Sequence, residues 1–188
     1  MGAGPRRCED RAVELERADR ITAGAIGEPG HRTFYLQART GGELITVVVE
    51  KQQVELLSAS ILELLSRIDK ETGAGPSDEE LEGLEGPVEP RFRVGRLSIG
   101  YEEEHDVILL ELEELLEEDE PEADQPASGA EEPERIRLWA TREQMLALSR
   151  HGAAVAGRGR PTCQFCGNPM DPEGHTCPAM NGHTRPAR

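Results

Sequence analysis

The 188-residue sequence has few aromatic residues, few apolar residues and no long apolar run. Phe, Trp and Tyr make up 3% of the chain and the apolar types 36%, which predicts that part of it lies outside any core. No apolar stretch approaches the roughly 18 residues that a membrane-spanning helix needs. The first residues carry arginines but no apolar segment of the secretory type. We therefore expect a cytoplasmic protein without a membrane span.

Cysteine is also scarce, and the familiar catalytic signatures are absent. A reducing cytoplasm makes disulfides between the four cysteines unexpected. The sequence contains no G-x-S-x-G, P-loop, G-x-G-x-x-G or H-E-x-x-H motif. It therefore does not predict a hydrolase, nucleotide-binding protein or metalloprotease of the common types. We predict no catalytic residues, and a non-enzymatic role is favoured over an enzymatic one.

The net charge of −16 is concentrated in one segment. Residues 102–134 contain sixteen Asp or Glu and no Lys or Arg, whereas the acids and bases of the remaining residues balance. A dense run of acids repels phosphate backbones, and no basic stripe elsewhere offsets it. Double-stranded nucleic acid is therefore not an expected partner, and the acidic run is interpreted as a solvated loop.

Hydrophobic periodicity predicts an α+β fold. Alternating or β-branched segments predict about six strands in a mostly antiparallel sheet, and apolar steps of three and four predict two helices on one face. A change of phase at Gly95 and Arg96 predicts a bulge, and Thr141 with Gln144 predicts a capping box. The predicted strands are residues 20–27, 33–39, 44–50, 91–101, 106–113 and 135–140, and the helices are 51–71 and a segment following Thr141.

Composition predicts three parts of the chain. Residues 1–19 are predicted to be irregular, residues 20–156 to form the α+β domain and residues 157–188 to form a zinc-binding tail. Within the domain, two segments rich in Gly, Pro and acids predict a disordered linker at 72–90 and an acidic insert at 117–134.

The tail carries the most specific pattern in the sequence, a cluster of cysteines and histidines. Cys163 and Cys166 form C-x-x-C, a spacing that turns two thiolates toward one point, and Cys177 supplies a third. Zinc takes four ligands in a tetrahedron, so one histidine is needed. A fully ligated zinc has no open position for water, which predicts a structural knuckle and not a catalytic centre.

Two histidines compete for the fourth position. His175 is two residues before Cys177, so in an extended stretch both side chains share a face, and we favour it. His183 is the alternative, six residues beyond Cys177 and reached through Asn181 and Gly182. Two other readings of the cysteines, incidental thiols in a loose tail and a redox pair, stay open.

Polar side chains on and near the first hairpin form a second candidate site. Alternate polar residues on one sheet face can bind an anion or a peptide, although an ordinary solvated face has the same pattern. An enzyme or small-molecule sensor is the alternative function, with a pocket between this hairpin and the tail that uses His31, Arg32 and Glu50. The candidate binding residues are His31, Arg32, Tyr35, Gln37, Glu50 and Gln53.

Four segments carry a resemblance to a known family: residues 27–38 (GEPGHRTFYLQA), 47–57 (VVVEKQQVELL), 92–104 (FRVGRLSIGYEEE) and 159–183 (GRPTCQFCGNPMDPEGHTCPAMNGH). Together they resemble the actinobacterial family of domain of unknown function 3090, with its C-terminal CxxCG…DPEGHxCP signature. The resemblance implies a zinc-ligand-like tail but no particular activity. It also implies genomic company with a phosphoinositide-kinase-like and a histidine-phosphatase-like protein. Residues 1–19 depart from the family pattern.

The combined expectation is a non-catalytic binding or scaffold module. The zinc knuckle and the polar sheet face would dock a protein partner. The sequence does not identify that partner.

Overall fold

The structure is a computed structural model that describes residues 12–116, 132–159, 162–168, 170, 175–180 and 184–185. Its strands are β1 (Ala12–Arg17), β2 (Arg20–Ile26), β3 (Thr33–Thr40), β4 (Glu43–Val49), β5 (Val94–Glu102), β6 (Val107–Glu114), β7 (Arg135–Thr141), β8 (His175–Thr176) and β9 (Thr184–Arg185). Its α-helices are α1 (Lys51–Arg67), α2 (Asp78–Leu81) and α3 (Arg142–Gly157). No helix in these ranges is both long and apolar enough to cross a membrane.

The α+β class is confirmed, but the strands form two main sheets and not one. One sheet has the order β1-β7-β6-β5 and the other the order β2-β3-β4. All pairs are antiparallel except β1 with β7, which is parallel. The sheets adjoin where the Val48 amide donates to the Phe92 carbonyl at 2.9 Å. The sequence predicts a single sheet because strand periodicity identifies the buried face of a strand but not the sheet that the strand joins.

The turns and the irregularity in the sheets follow from local sequence. Gly41 and Gly42 both have positive φ, the conformation that the tight turn between β3 and β4 requires. The register of β5 on β6 shifts between Val94 and Arg96, which confirms the predicted bulge. The bulge changes the phase of β5, so that its apolar side chains before and after the bulge lie on the same face.

One core unites the two sheets and the two long helices. The buried cluster includes apolar side chains from β2 to β4, from β5 to β7 and from both α1 and α3. In α1 the buried Val54, Leu57 and Ile61 occupy the predicted apolar stripe. Helix α3 packs on α1 and β2, whereas α1 also contacts β5. The helices therefore bridge the two sheets.

Side chains at the start of each long helix satisfy its first amides. The Thr141 hydroxyl accepts from the Gln144 amide at 3.0 Å and the Gln144 side chain accepts from the Thr141 amide at 2.9 Å, so the predicted capping box is confirmed.

The two long helices pack closely where they cross. A Cβ on Gly152 of α3 would lie 3.0 Å from the Ser58 hydroxyl of α1. Small residues there let α3 approach α1 closely.

The segment predicted to be a disordered linker, residues 72–90, has defined contacts. It contains α2, and Leu81 at the end of that helix is buried at 2% exposure. Gly75 has a φ of +72°, and a Cβ there would lie 2.2 Å from the Glu143 carbonyl oxygen. A Cβ on Gly24 in β2 would lie 2.6 Å from the Leu84 side chain. The segment therefore packs directly on α3 and on the β2-β3-β4 sheet.

Two other predicted segments are described only in part. Residues 1–19 were predicted to be irregular, but β1 lies within them and residues 1–11 fall outside the described part. Residues 117–131 of the acidic insert also lie outside it. Of the remainder, Glu134 continues the pairing of β6 with β7, since its carbonyl accepts from the Glu114 amide at 2.9 Å. The domain boundaries themselves stay predictions.

Candidate functional site

The C-x-x-C segment forms a tight loop that closes on itself. The Gly167 amide donates to the Cys163 carbonyl at 2.8 Å, and the Cys163 amide donates to the Asn168 carbonyl at 2.8 Å. Gly167 has a φ of +73°, which a residue with a side chain adopts only at a cost. The chain therefore turns sharply just after Cys166, and the turn presents both cysteines on its inner side.

The three tail cysteines meet at one point. The sulfurs of Cys163, Cys166 and Cys177 all lie within 4.8 Å of one another, and those of Cys163 and Cys177 are 3.8 Å apart. Cys163 and Cys177 are buried, and the three carry thiols without a disulfide. A tetrahedron with metal–sulfur bonds of about 2.3 Å has edges of about 3.8 Å, so this spacing suits a metal ion. The cluster can hold a metal ion.

Backbone amides inside the loop point at the sulfurs. Hydrogen bonds from the amides of Cys166 and Phe165 lower the pKa of the Cys163 thiol below its ordinary value. The Asn168 amide also favours the thiolate of Cys166, but burial and the two neighbouring thiols outweigh it and raise the pKa of that group. A cation bound between the sulfurs would neutralise the thiolate charge of this cluster.

A short ribbon returns the chain to the loop. Strand β8 pairs with β9 in antiparallel register, with Thr176 opposite Thr184. Cys177 follows β8 directly and is fully buried against Cys163. His175 has its backbone in β8, two residues before Cys177, and His183 lies outside the described residues. Both histidines stay predicted ligands.

The polar face of the β2-β3-β4 sheet is covered by the chain itself. Gln37 is 2% exposed, donates to the Glu85 carbonyl at 3.0 Å and accepts from the Glu85 amide at 2.8 Å. The Thr22 hydroxyl donates to the Leu81 carbonyl at 2.6 Å, and Arg39 forms an ion pair with Glu85. The polar side chains of this face therefore contact residues 80–85 of the same chain. The predicted binding residue Tyr35 lies in β3, as Gln37 does, and is half-buried.

Two other predicted binding residues contribute to structure at the start of α1. Gln53 accepts from the Glu50 amide at 2.8 Å and donates to the Val94 carbonyl at 3.0 Å, so it caps the helix and fastens β5. The Glu50 carboxylate pairs with Arg93 on the surface. Neither side chain lines the cavity described next.

A cavity of about 400 Å³ opens between β2, the segment 82–88 and α3. Arg32 lines it, whereas His31 is exposed and does not. The histidine that lines it is His151 of α3, which is 2% exposed. Sequence patterns select His31 as a candidate binding residue but not His151. Its position three residues after Leu148 and four before Val155, on the apolar stripe of α3, was the signal for burial.

Other polar clusters in the described part are explained by packing. Asp106 accepts hydrogen bonds from Tyr101 at 2.6 Å, from Arg142 at 3.0 Å and from Lys70 at 3.1 Å. These bonds lower the pKa of Asp106 well below its usual range. They tie the β5-β6 turn to α3 and to the segment that follows α1. Glu102, Glu104 and His105 also lie close together in that turn, where the Glu102 carboxylate accepts from the Glu104 and His105 amides.

Comparisons with known proteins give one match. Searches of curated proteins and of solved structures found no match. A family model described as "Protein of unknown function (DUF3090)" matches residues 13–177, which include both main sheets, the long helices and the three clustered cysteines. The chain therefore belongs to the DUF3090 family.

Proposed function

We propose that the protein is a non-catalytic binding module whose tail is held together by a structural zinc ion. The proposed ligands are Cys163, Cys166, Cys177 and His175, with His183 as the alternative to His175. The observation that carries the proposal is the 3.8 Å separation of the Cys163 and Cys177 sulfurs in a buried three-thiol cluster. Thiolate-rich tetrahedral sites are typical of zinc, and four protein ligands leave it no position for a substrate.

The chain's own residues prepare this site. The loop amides that point at Cys163 stabilise its thiolate, and burial of Cys163 and Cys177 keeps water from competing for the metal. Zinc bound there would supply cross-linking: it would join the C-x-x-C loop to the β8-β9 ribbon. The described residues of the tail bury little apolar surface that could hold the loop and the ribbon together without a metal.

The knuckle is the proposed docking surface for a protein partner. Phe165, between the two loop cysteines, is 52% exposed, and aromatic side chains are enriched at the centres of interfaces. The polar sheet face, which the sequence also suggested for docking, is covered by residues 80–85. A native pulldown with wild type and Phe165→Ala tests the surface. A partner retained by both proteins would contradict it.

The two histidines decide whether the site is closed. If His175 is the fourth ligand, His175→Ala should weaken zinc binding by more than tenfold, while His183→Ala should leave it nearly unchanged. Competition with a chromophoric chelator measures both affinities, and the two substitutions serve as each other's control. The reverse pattern would assign the ligand to His183 and keep the site closed.

A third outcome would overturn the proposal. If zinc affinity survives both substitutions and the double substitution, water occupies the fourth position. A zinc-bound water is the feature of catalytic centres. The non-catalytic assignment would then be wrong, and hydrolytic activity would be the next function to test.

A further inference from the structure

The cavity beside β2 lies apart from the cysteine cluster, and none of its lining residues belongs to the cysteine loop. Its volume of about 400 Å³ falls within the range of small-molecule sites, roughly 300–1,000 Å³. One wall is the end of β2 from Ala23 to Gly27, a second is the segment 82–88 and a third is α3. The segment 82–88 therefore supplies one wall of a pocket that a sheet and a helix alone would not form.

The charges at this cavity are opposite in sign to those of the protein as a whole. Arg32 and Arg158 line it with a single carboxylate, Glu82, in a chain whose net charge is −16. Glu82 lies 3.5 Å from the Arg158 guanidinium. Arg32 is half-buried and donates to the Arg158 carbonyl, but no carboxylate of the described residues pairs with it. A half-buried guanidinium without a counter-ion favours an anion from solution.

His151 adds a second polar group. Its Nδ1 is buried and has no hydrogen-bond partner among the described residues. Burial lowers the pKa of His151 and Arg158 acts in the same direction, against the opposing effects of Asp78 and Glu82. The nearest carboxylate oxygen, on Asp78, lies 3.8 Å from Nδ1, beyond hydrogen-bond distance. Burial therefore favours the neutral imidazole, which forms part of the cavity wall.

The remaining walls are mostly apolar. Side chains of Ile26, Leu84, Val88 and Val155 line the cavity together with the two alanines of β2. Apolar walls with a few polar groups are characteristic of small-molecule sites, where the walls bind the body of a ligand and the polar groups orient it. An inorganic ion would leave these walls in contact with water only.

We propose that this cavity binds a small organic anion with a short apolar body. The guanidinium of Arg32 binds its carboxylate or phosphate, and the apolar walls together with the His151 ring enclose its body. The proposal concerns a site separate from the cysteine cluster, so zinc content and anion binding are independent readouts.

The test uses three probes that share an isobutyl group and differ in head group and charge. Isovalerate carries a carboxylate, isobutyl phosphate carries a phosphate and isovaleramide is the neutral counterpart of isovalerate. We expect saturable binding of at least one anion by calorimetry, and binding of the amide at least about tenfold weaker. The tighter anion identifies the head group.

Two variants locate the binding. Arg32→Gln should weaken the anion about tenfold or more, whereas Arg67→Gln, which changes an exposed arginine of α1 paired with Glu63, should leave it unchanged. In parallel, NMR signals of the His151 ring should shift during titration of wild type, and those of the exposed His105 should not. This second measurement uses only wild type and does not depend on whether Arg32→Gln folds.

Three results would overturn the proposal. These are equal affinity for isovaleramide and the anions, unchanged affinity in a folded Arg32→Gln protein, and no shift of the His151 signals with either anion up to about 20 mM.

Discussion

The body of the protein, residues 12–116 and 132–157, and the described residues of the tail after it are stabilised by different means. The body has one apolar cluster that draws side chains from two sheets and two helices. In the tail, the only buried residues among those described are Cys163 and Cys177. A segment without apolar side chains to bury needs another source of folding free energy, and clustered thiols point to a metal. Burial thus stabilises the body, and the proposed metal ligation would stabilise the tail.

The largest expected effect is the loss of metal from the tail. Cys166→Ser removes one of three thiolates, and structural zinc sites contribute apparent binding free energies of about 10–16 kcal/mol. We expect the variant to lose zinc while its body unfolds at the same temperature as wild type. Cys8→Ser, a change at the one cysteine outside the tail cluster, is the control and should keep its zinc. Metal measurement and thermal melts separate the two regions.

The next largest effect lies in the body core. Leu110 in β6 is fully buried, and Leu110→Ala should cost about 2–5 kcal/mol of unfolding free energy because it leaves a cavity. Zinc content of the folded protein should not change. Urea denaturation with metal measurement on the same samples checks this prediction. Loss of zinc in the folded variant would show that the two regions depend on one another.

A smaller effect tests whether the segment 72–90 belongs to the body. Gly75→Ala places a methyl group against the Glu143 carbonyl, and it should cost about 3 kcal/mol. Gly83→Ala is the matched control, since Gly83 also has positive φ but no atom within 4 Å of its Cβ position, and it should cost about 1–2 kcal/mol. Equal, small costs in urea denaturation would favour the disordered linker that composition predicts.

The smallest effect is expected at the acidic insert. Replacing residues 117–131 with a short Gly-Ser loop should change the unfolding free energy by about 0.6 kcal/mol or less, because loop-closure entropy depends weakly on length. Residues 132–134 are kept, since the Glu134 carbonyl accepts from the Glu114 amide at the end of the β6-β7 pair. A drop in melting temperature of more than a few degrees would show that the acidic residues support the body.

Local patterns predicted most of the elements because each is decided by neighbouring residues. The hairpin at Gly41 and Gly42, the bulge after Val94 and the capping box at Thr141 all follow from such patterns. The division into two sheets did not follow, since it depends on which strands meet in space.

The candidate sites show the same limit. The convergence of the three cysteines was predicted from their spacing, and the structure brings them together. The covering of the polar sheet face was not predicted, because it depends on how residues 80–85 fold back over Gln37. The cavity shows the same limit. The sequence predicts that His31 and Arg32 share a pocket, but the histidine that lines the cavity with Arg32 is His151, more than a hundred residues further along the chain. Contacts between distant segments have no signature in a single sequence.

The central claim is that a metal folds the tail while the body folds without it, and chelation of wild-type protein tests it most directly. Protein purified under reducing conditions should carry about one zinc ion per chain. Its removal by a chelator should change the backbone NMR signals of residues 157–188 and leave those of the body in place. A metal-free protein with an ordered tail, or loss of the body signals on chelation, would contradict the account.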